Sequence, residues 1–192
     1  MENRGKQFEG IWKSTFDKES DVDIERIPDQ SRFINGKRIK GSKNTADFRM
    51  FSSPCSMYIE CKTSEYPTLS IERISQNQRD SLYDKTLVYG QGGFVVIWYV
   101  KEFTVVAYSA RTIKQLYSWG VRTLSVKKID EQGGIILPTR PKKVKVEILA
   151  QEALEILRKE IQEKDVEDRQ GTDGEEGTDA GRATHSSNGA NE

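Results

Sequence analysis

Two apolar runs set the terms for this chain. "GGFVVIWYV" (Gly92–Val100) and "EFTVVAYSA" (Glu102–Ala110) are rich in β-branched and aromatic residues, and the turn "KE" (Lys101–Glu102) lies where they meet. They read as two strands of a central hairpin. The longest uninterrupted apolar stretch, "FVVIWYV", has strand length and falls far short of a membrane span, so no membrane role is expected.

The rest of the chain must wrap this hairpin. Residues 3–19 fit an amphipathic helix, with Phe8, Ile11, Trp12, Thr15 and Phe16 on one face. "DVDIERI" alternates and stops at Pro28, like an edge strand. "TADFRMF" and "SMYIECKT" read as strands joined by the turn "SSPC". "SIERISQNQRDSLYDKTLVYG" suits a helix closed by Gly90, and "ARTIKQLYSWG" a shorter one ending at Gly120. "GGIILPTRPKKVKVEIL" begins extended and passes into a final helix, "AQEALEILRKEIQEK". The order predicts one α/β domain over residues 1–164, a mixed sheet flanked by helices. Residues 29–43, "DQSRFINGKRIKGSK", form either a flexible loop or a short projecting hairpin.

From residue 165 onward almost nothing is apolar, which predicts a disordered acidic tail over 165–192. That tail holds eight acidic and two basic residues. Of the 30 basic and 30 acidic residues, the preceding domain therefore keeps 28 and 22, a surplus of six positive charges. A basic domain with an acidic tail suits a polyanion-binding protein, and a merely solubilising tail explains the same composition.

Several chemistries are excluded. The only histidine, His185, falls in the tail, which removes serine–histidine and cysteine–histidine catalysis and His-ligated metals. "GQGG" (Gly90–Gly93) lacks the Lys-Ser/Thr ending of a phosphate-binding loop. Cys55 and Cys61 lack zinc-site spacing and read as reduced cysteines of a cytoplasmic protein. Chemistry here rests on carboxylates, lysines and a metal ion.

"YIECK" places Glu60 and Lys62 two positions apart, on the same face of a strand. Asp47 lies on the preceding strand, where a hairpin brings it beside Glu60. An isolated Glu-x-Lys is more often a salt bridge or a solvated face. Two carboxylates, a backbone carbonyl and waters, however, make a hard-oxygen site for Mg²⁺, and a lysine beside it stabilises charge developing on a phosphate. This is the PD-(D/E)xK nuclease pattern.

"NRGKQFE" (Asn3–Glu9), "SKNTADF" (Ser42–Phe48), "YIECK", "ISQNQRDSL" (Ile74–Leu82) and "GGFVVIWY" follow one another in order. Together they resemble the successive motifs of the RecU-type Holliday junction resolvases of Gram-positive bacteria and their phages. The resemblance covers residues 3–148. It implies a restriction-endonuclease-like fold and a homodimer that uses Mg²⁺, with Mn²⁺ able to substitute, to nick opposing strands of a four-way DNA junction during recombination and repair. Carried over, Asp47 and Glu60 are metal ligands and Lys62 the catalytic lysine. Thr45, two before Asp47 on the same strand face, holds the water or phosphate at the metal. Glu9 ligates the metal or positions a water. Gln78 touches the scissile phosphate or a site carboxylate and counts among the metal-site residues. Arg32, Phe33, Lys37, Arg38, Lys40 and Lys43 in the stalk contact DNA, although a solvated loop accounts for the same charges.

The stalk is shorter than the family's, and Asn77 stands where a His commonly precedes the Gln. The short stalk keeps two other readings open. One is a nuclease of the same fold with a different DNA substrate, of nicking or restriction type. The other is a non-catalytic junction-binding protein.

Overall fold

The computed structural model describes residues 3–28, 31–34, 37–40, 44–142 and 145–173, without the side chains of 31–34, 37–40 and 171–173. The chain opens with α1 (Arg4–Phe16), which Asn3 caps by accepting the Lys6 N–H. Phe8, Trp12 and Phe16, spaced four apart, form its fully buried stripe. The helix stops at Phe16, three residues before the expected end. β1 (Asp23–Arg26) follows, and then β2 (Ser31–Ile34) pairs with β3 (Lys37–Lys40). Of the two readings of residues 29–43, the hairpin is the one adopted.

β4 (Phe48–Ser52) and β5 (Cys55–Ser64) form the next antiparallel pair. The long helix expected from Ser70 to Gly90 is shorter at both ends. Its first residues belong to β6 (Thr68–Ser70) and a 3₁₀ turn (Ile71–Arg73), because β6 pairs with β9 (Thr123–Ser125). α2 (Gln76–Thr86) starts only at Ser75, whose side chain caps it. Gly90 does not close that helix. It sits at φ +71° and turns the chain into β7 (Gln91–Tyr99).

β8 (Thr104–Ser109), α3 (Ala110–Ser118), β10 (Ile135–Leu137) and the hairpin of β11 (Thr139–Lys142) with β12 (Lys145–Ile148) complete the strands. The final helix, α4 (Ala150–Asp173), is longer than expected. Residues 165–173 are therefore helix rather than tail. Asp165 is buried and accepts the Gly90 N–H at 2.9 Å. Asp168 is held by Arg111 at 2.6 and 2.9 Å. The charges that made this stretch look like a solvated tail are its anchors; residues 174–192 lie outside the described residues.

The main sheet runs β1-β4-β5-β7-β8-β10. β5 and β7 are parallel and every other pair is antiparallel, so the sheet is mixed. Phe94, Val96 and Trp98 of β7 pack with α1 and α4, while Val95, Ile97 and Tyr99 pack with α2 and α3. That strand reads as continuously apolar because both of its faces are covered. The fold is a mixed α/β domain whose central sheet is flanked by helices on both sides. The contact on the α2 side is close enough that a Cβ on Gly93 would sit 2.2 Å from the Leu82 carbonyl oxygen. Among the described residues no helix is long and apolar enough to cross a membrane.

Candidate active site

β4 begins opposite Ile59, halfway along β5. Past that point the β5 backbone has no partner on this side, and the chain leading into β4 closes the gap. The Asp47 N–H donates to the Ile59 carbonyl at 2.9 Å, and the Asp47 carboxylate accepts the Cys61 N–H at 2.7 Å. Asn44 fixes this segment from the other side by donating to the Ile27 carbonyl at 2.8 Å. Asp47 is thereby seated beside Glu60.

Glu60 and Lys62 point to the α2 side of the sheet, and Cys61, between them, to the α1 side. Glu60 is 3% exposed. Its Oε1 accepts hydrogen bonds from the Lys62 ammonium and from the Gln78 amide, both at 2.6 Å. Its Oε2 is buried with no hydrogen-bond partner. Burial above all, then the Asp47 charge, pushes the Glu60 carboxyl up to about 7, against the opposing pull of Lys62 and Gln78.

Gln78 is held as firmly as the carboxylate it touches. Its amide oxygen accepts both the N–H and the hydroxyl of Ser75 at 3.1 Å. The side-chain NH₂ is thus left to face Glu60. Ser75 in turn caps α2, forming a reciprocal capping box. Ser75 is a residue that the sequence reading missed, although the Ser-x-x-Gln spacing of "SQNQ" signals it. With its oxygen hydrogen-bonded to Ser75, Gln78 turns its NH₂ toward Glu60 and holds that carboxylate in place.

Two other expected residues stand differently. Thr45 lies in the bend before β4, not on a strand face shared with Asp47, because β4 starts only at Phe48. Glu9, on α1, forms an ion pair with Arg26 at 2.5 Å. Burial above all, then the charges of Asp47, Glu60 and Glu9, raises the Cys61 thiol pKa. Among the described residues no three His, Cys, Asp or Glu side chains cluster to hold a metal. Arg32, Phe33, Lys37, Arg38 and Lys40 fall in β2 and β3, where Phe33 is paired with Arg38. Their side chains, and all of Lys43, lie outside the described residues. Both cysteines are free and buried.

The donor set is two carboxylates, one with a buried oxygen that nothing satisfies, beside one ammonium. This combination suits a hard, oxygen-seeking cation. No family model matches the chain, and no curated protein does. A similar solved structure is that of Archaeoglobus fulgidus Hjc, a Holliday junction resolvase from an archaeal hyperthermophile. It aligns at a TM-score of 0.38 with 12% identity, covering 58% of this chain and 78% of that one.

Proposed function

We propose that this protein is a Mg²⁺-dependent endodeoxyribonuclease that resolves four-way DNA junctions by paired, symmetric nicks. The observation that carries the reading is the buried Glu60 Oε2 without a partner, set beside Asp47 and Lys62. A purely structural salt bridge gains nothing by burying a carboxylate oxygen it leaves unsatisfied.

Asp47 and Glu60 would hold the cation, Mg²⁺ or in its place Mn²⁺. Such an ion supplies Lewis-acid polarisation of a phosphoryl oxygen. The protein's own groups do the remaining work. Gln78 and Lys62 fix Glu60 through Oε1 and leave Oε2 for the cation. The Lys62 side chain is 17% exposed, and its ammonium could meet the charge developing on a phosphate. Asp47 is oriented by the Cys61 N–H, and Thr45 and Glu9 would assist the cation from the bend before β4 and from α1.

The junction substrate, the homodimer and cytoplasmic action rest on the ordered RecU-type motifs. Two related nicks need two sites, which a two-fold axis supplies. The β2–β3 hairpin, with Arg32, Phe33, Lys37, Arg38, Lys40 and the adjoining Lys43, would contact the branch point.

Cleavage of a synthetic four-way junction, compared with linear duplex in Mg²⁺, tests the proposal. Junction cutting should dominate, and Asp47→Asn, Glu60→Gln and Lys62→Ala should each abolish it while leaving DNA binding largely intact. Equal rates on both substrates would indicate a nuclease with another substrate. Junction binding without cutting by the wild type would indicate a non-catalytic binding protein.

A further inference from the structure

Arg79 follows Gln78 on α2, and its guanidinium lies over the Tyr117 ring of α3, 4.2 Å from the centroid. Arg122 stacks on that same ring at 4.4 Å. One turn further along each helix, the Lys114 ammonium sits 3.5 Å from the Tyr83 centroid. Cations and tyrosine rings thus alternate along the seam between α2 and α3, starting next to the residue that touches Glu60.

Among the described residues these three cations have no counter-charge. Arg79 donates to the Ile74 carbonyl and Arg122 to those of Tyr117 and Val121. Among the described residues neither arginine, nor Lys114, has a carboxylate within ion-pair distance, whereas Arg4, Arg26, Arg111 and Arg158 each do. α3 carries no acidic residue, and Asp80 and Asp84 of α2 pair with none of the three. At the far end the seam opens into a depression of ≈ 690 Å³ flanked by Tyr83, Lys114, Trp119 and the Arg111–Asp168 ion pair, in which the one carboxylate is already neutralised. Trp119 is 70% exposed, while Trp12 and Trp98 are fully buried.

We infer that the seam between α2 and α3 binds the phosphodiester backbone of a DNA arm leading away from the Glu60 site, with Arg79, Arg122 and Lys114 on phosphates and Trp119 at its edge. The inference rests on the reading that the protein acts on DNA, and it adds a contact surface separate from the β2–β3 hairpin.

The test is equilibrium binding of a labelled four-way junction across a salt series in EDTA, where no cutting is needed. In the double variant Arg122→Gln/Lys114→Gln the slope of log K against log salt should be shallower by about two, roughly one per lost phosphate contact. Arg122→Lys/Lys114→Arg should keep the wild-type slope. DNA should also quench the tryptophan emission of the wild type, and Trp119→Phe should remove that response. An unchanged slope in the Gln variant, whether its melting temperature holds or falls, would overturn the seam and leave the rings as packing between helices. A wild type that binds but never cuts counts against the nuclease alone; one that binds no DNA refutes both.

Discussion

Glu60→Gln removes a charge while keeping the shape of the side chain, and the structure sets the size of the effect. In the absence of a divalent cation the Glu60 carboxyl is pushed from its ordinary value of 4.5 to about 7, first by burial and then by Asp47. That displacement corresponds to about 3 kcal/mol between the two protonation states. Because the folded value lies above the unfolded one, the carboxyl is protonated in both states at low pH, and folding then carries no penalty. The penalty grows as pH rises through about 4.5, where the unfolded chain ionises alone, and is complete above about 7. Glutamine has no such dependence.

In EDTA, Glu60→Gln should therefore match the wild type near pH 4.5 and be more stable by about 1–3 kcal/mol near pH 8. The lower bound allows for the weakening of the two hydrogen bonds at Oε1, which are charge-assisted only in the wild type. For a domain of this size the gain is a rise of about 5 °C in melting temperature. Adding Mg²⁺ should raise the wild type and leave the variant unmoved, since only the wild type offers the second carboxylate. Thermal melts followed by circular dichroism at both pH values, with and without Mg²⁺, measure all of this. A variant less stable than the wild type near pH 8, or a gap independent of pH, would mean that Lys62 fully satisfies Glu60. The pair would then be a structural salt bridge, and the site reading would fail.

Gln78→Ala should cost about 1–2 kcal/mol in denaturant unfolding, through loss of its half of the capping box and of one bond to Glu60, and should slow cleavage at least tenfold. Gln78→Glu restores the acceptor for Ser75 but not the donor to Glu60, so it should recover the helix more than the cleavage; equal recovery would make Gln78 only a cap. Gly93→Ala drives a Cβ into the Leu82 backbone and should prevent folding or cost several kcal/mol, whereas Gly10→Ala, with nothing within 4 Å, should stabilise by about 0.5–1 kcal/mol in the same melts. Ending the chain after Lys164 removes the Asp165 and Asp168 anchors and should lower stability by about 2–3 kcal/mol. Ending it after Asp173 keeps both anchors and should leave the melting temperature unchanged.

What was legible in the sequence followed periodicity. The apolar runs at Gly92–Val100 and Glu102–Ala110 form the middle of the sheet, and the four-residue spacing of Phe8, Trp12 and Phe16 fixes the buried face of α1. The failures occur where partners far along the chain decide the outcome. Residues 70–73 looked helical because nothing local announces β9, more than fifty residues away, with which β6 pairs. Residues 165–173 looked solvated because Gly90 and Arg111, which bind Asp165 and Asp168, are 75 and 57 residues away. At the site, Asp47, Glu60, Lys62 and Gln78 come together as the motif spacing anticipates. Thr45 is displaced because β4 starts three residues later than the reading assumed.

The register of β4 against β5 makes a site out of residues that spacing alone leaves ambiguous. Side chains alternate across the sheet with a period of two, so a slip of one residue would carry Glu60 and Lys62 to the α1 side and Cys61 to the α2 side. The slip is opposed by Met57 and Ile59 of the same strand, both fully buried on the α1 side, which would be turned to the wrong face. The same register starts β4 opposite Ile59, which leaves the Cys61 N–H past the end of the ladder and free for the Asp47 carboxylate. Had β4 begun two residues earlier, its backbone would take that N–H, and Asp47 would be one more alternating strand residue. The pair of carboxylates therefore depends on the strand ending where it does. The apolar residues that fix that end are as much a condition of the site as Asp47 and Glu60 themselves.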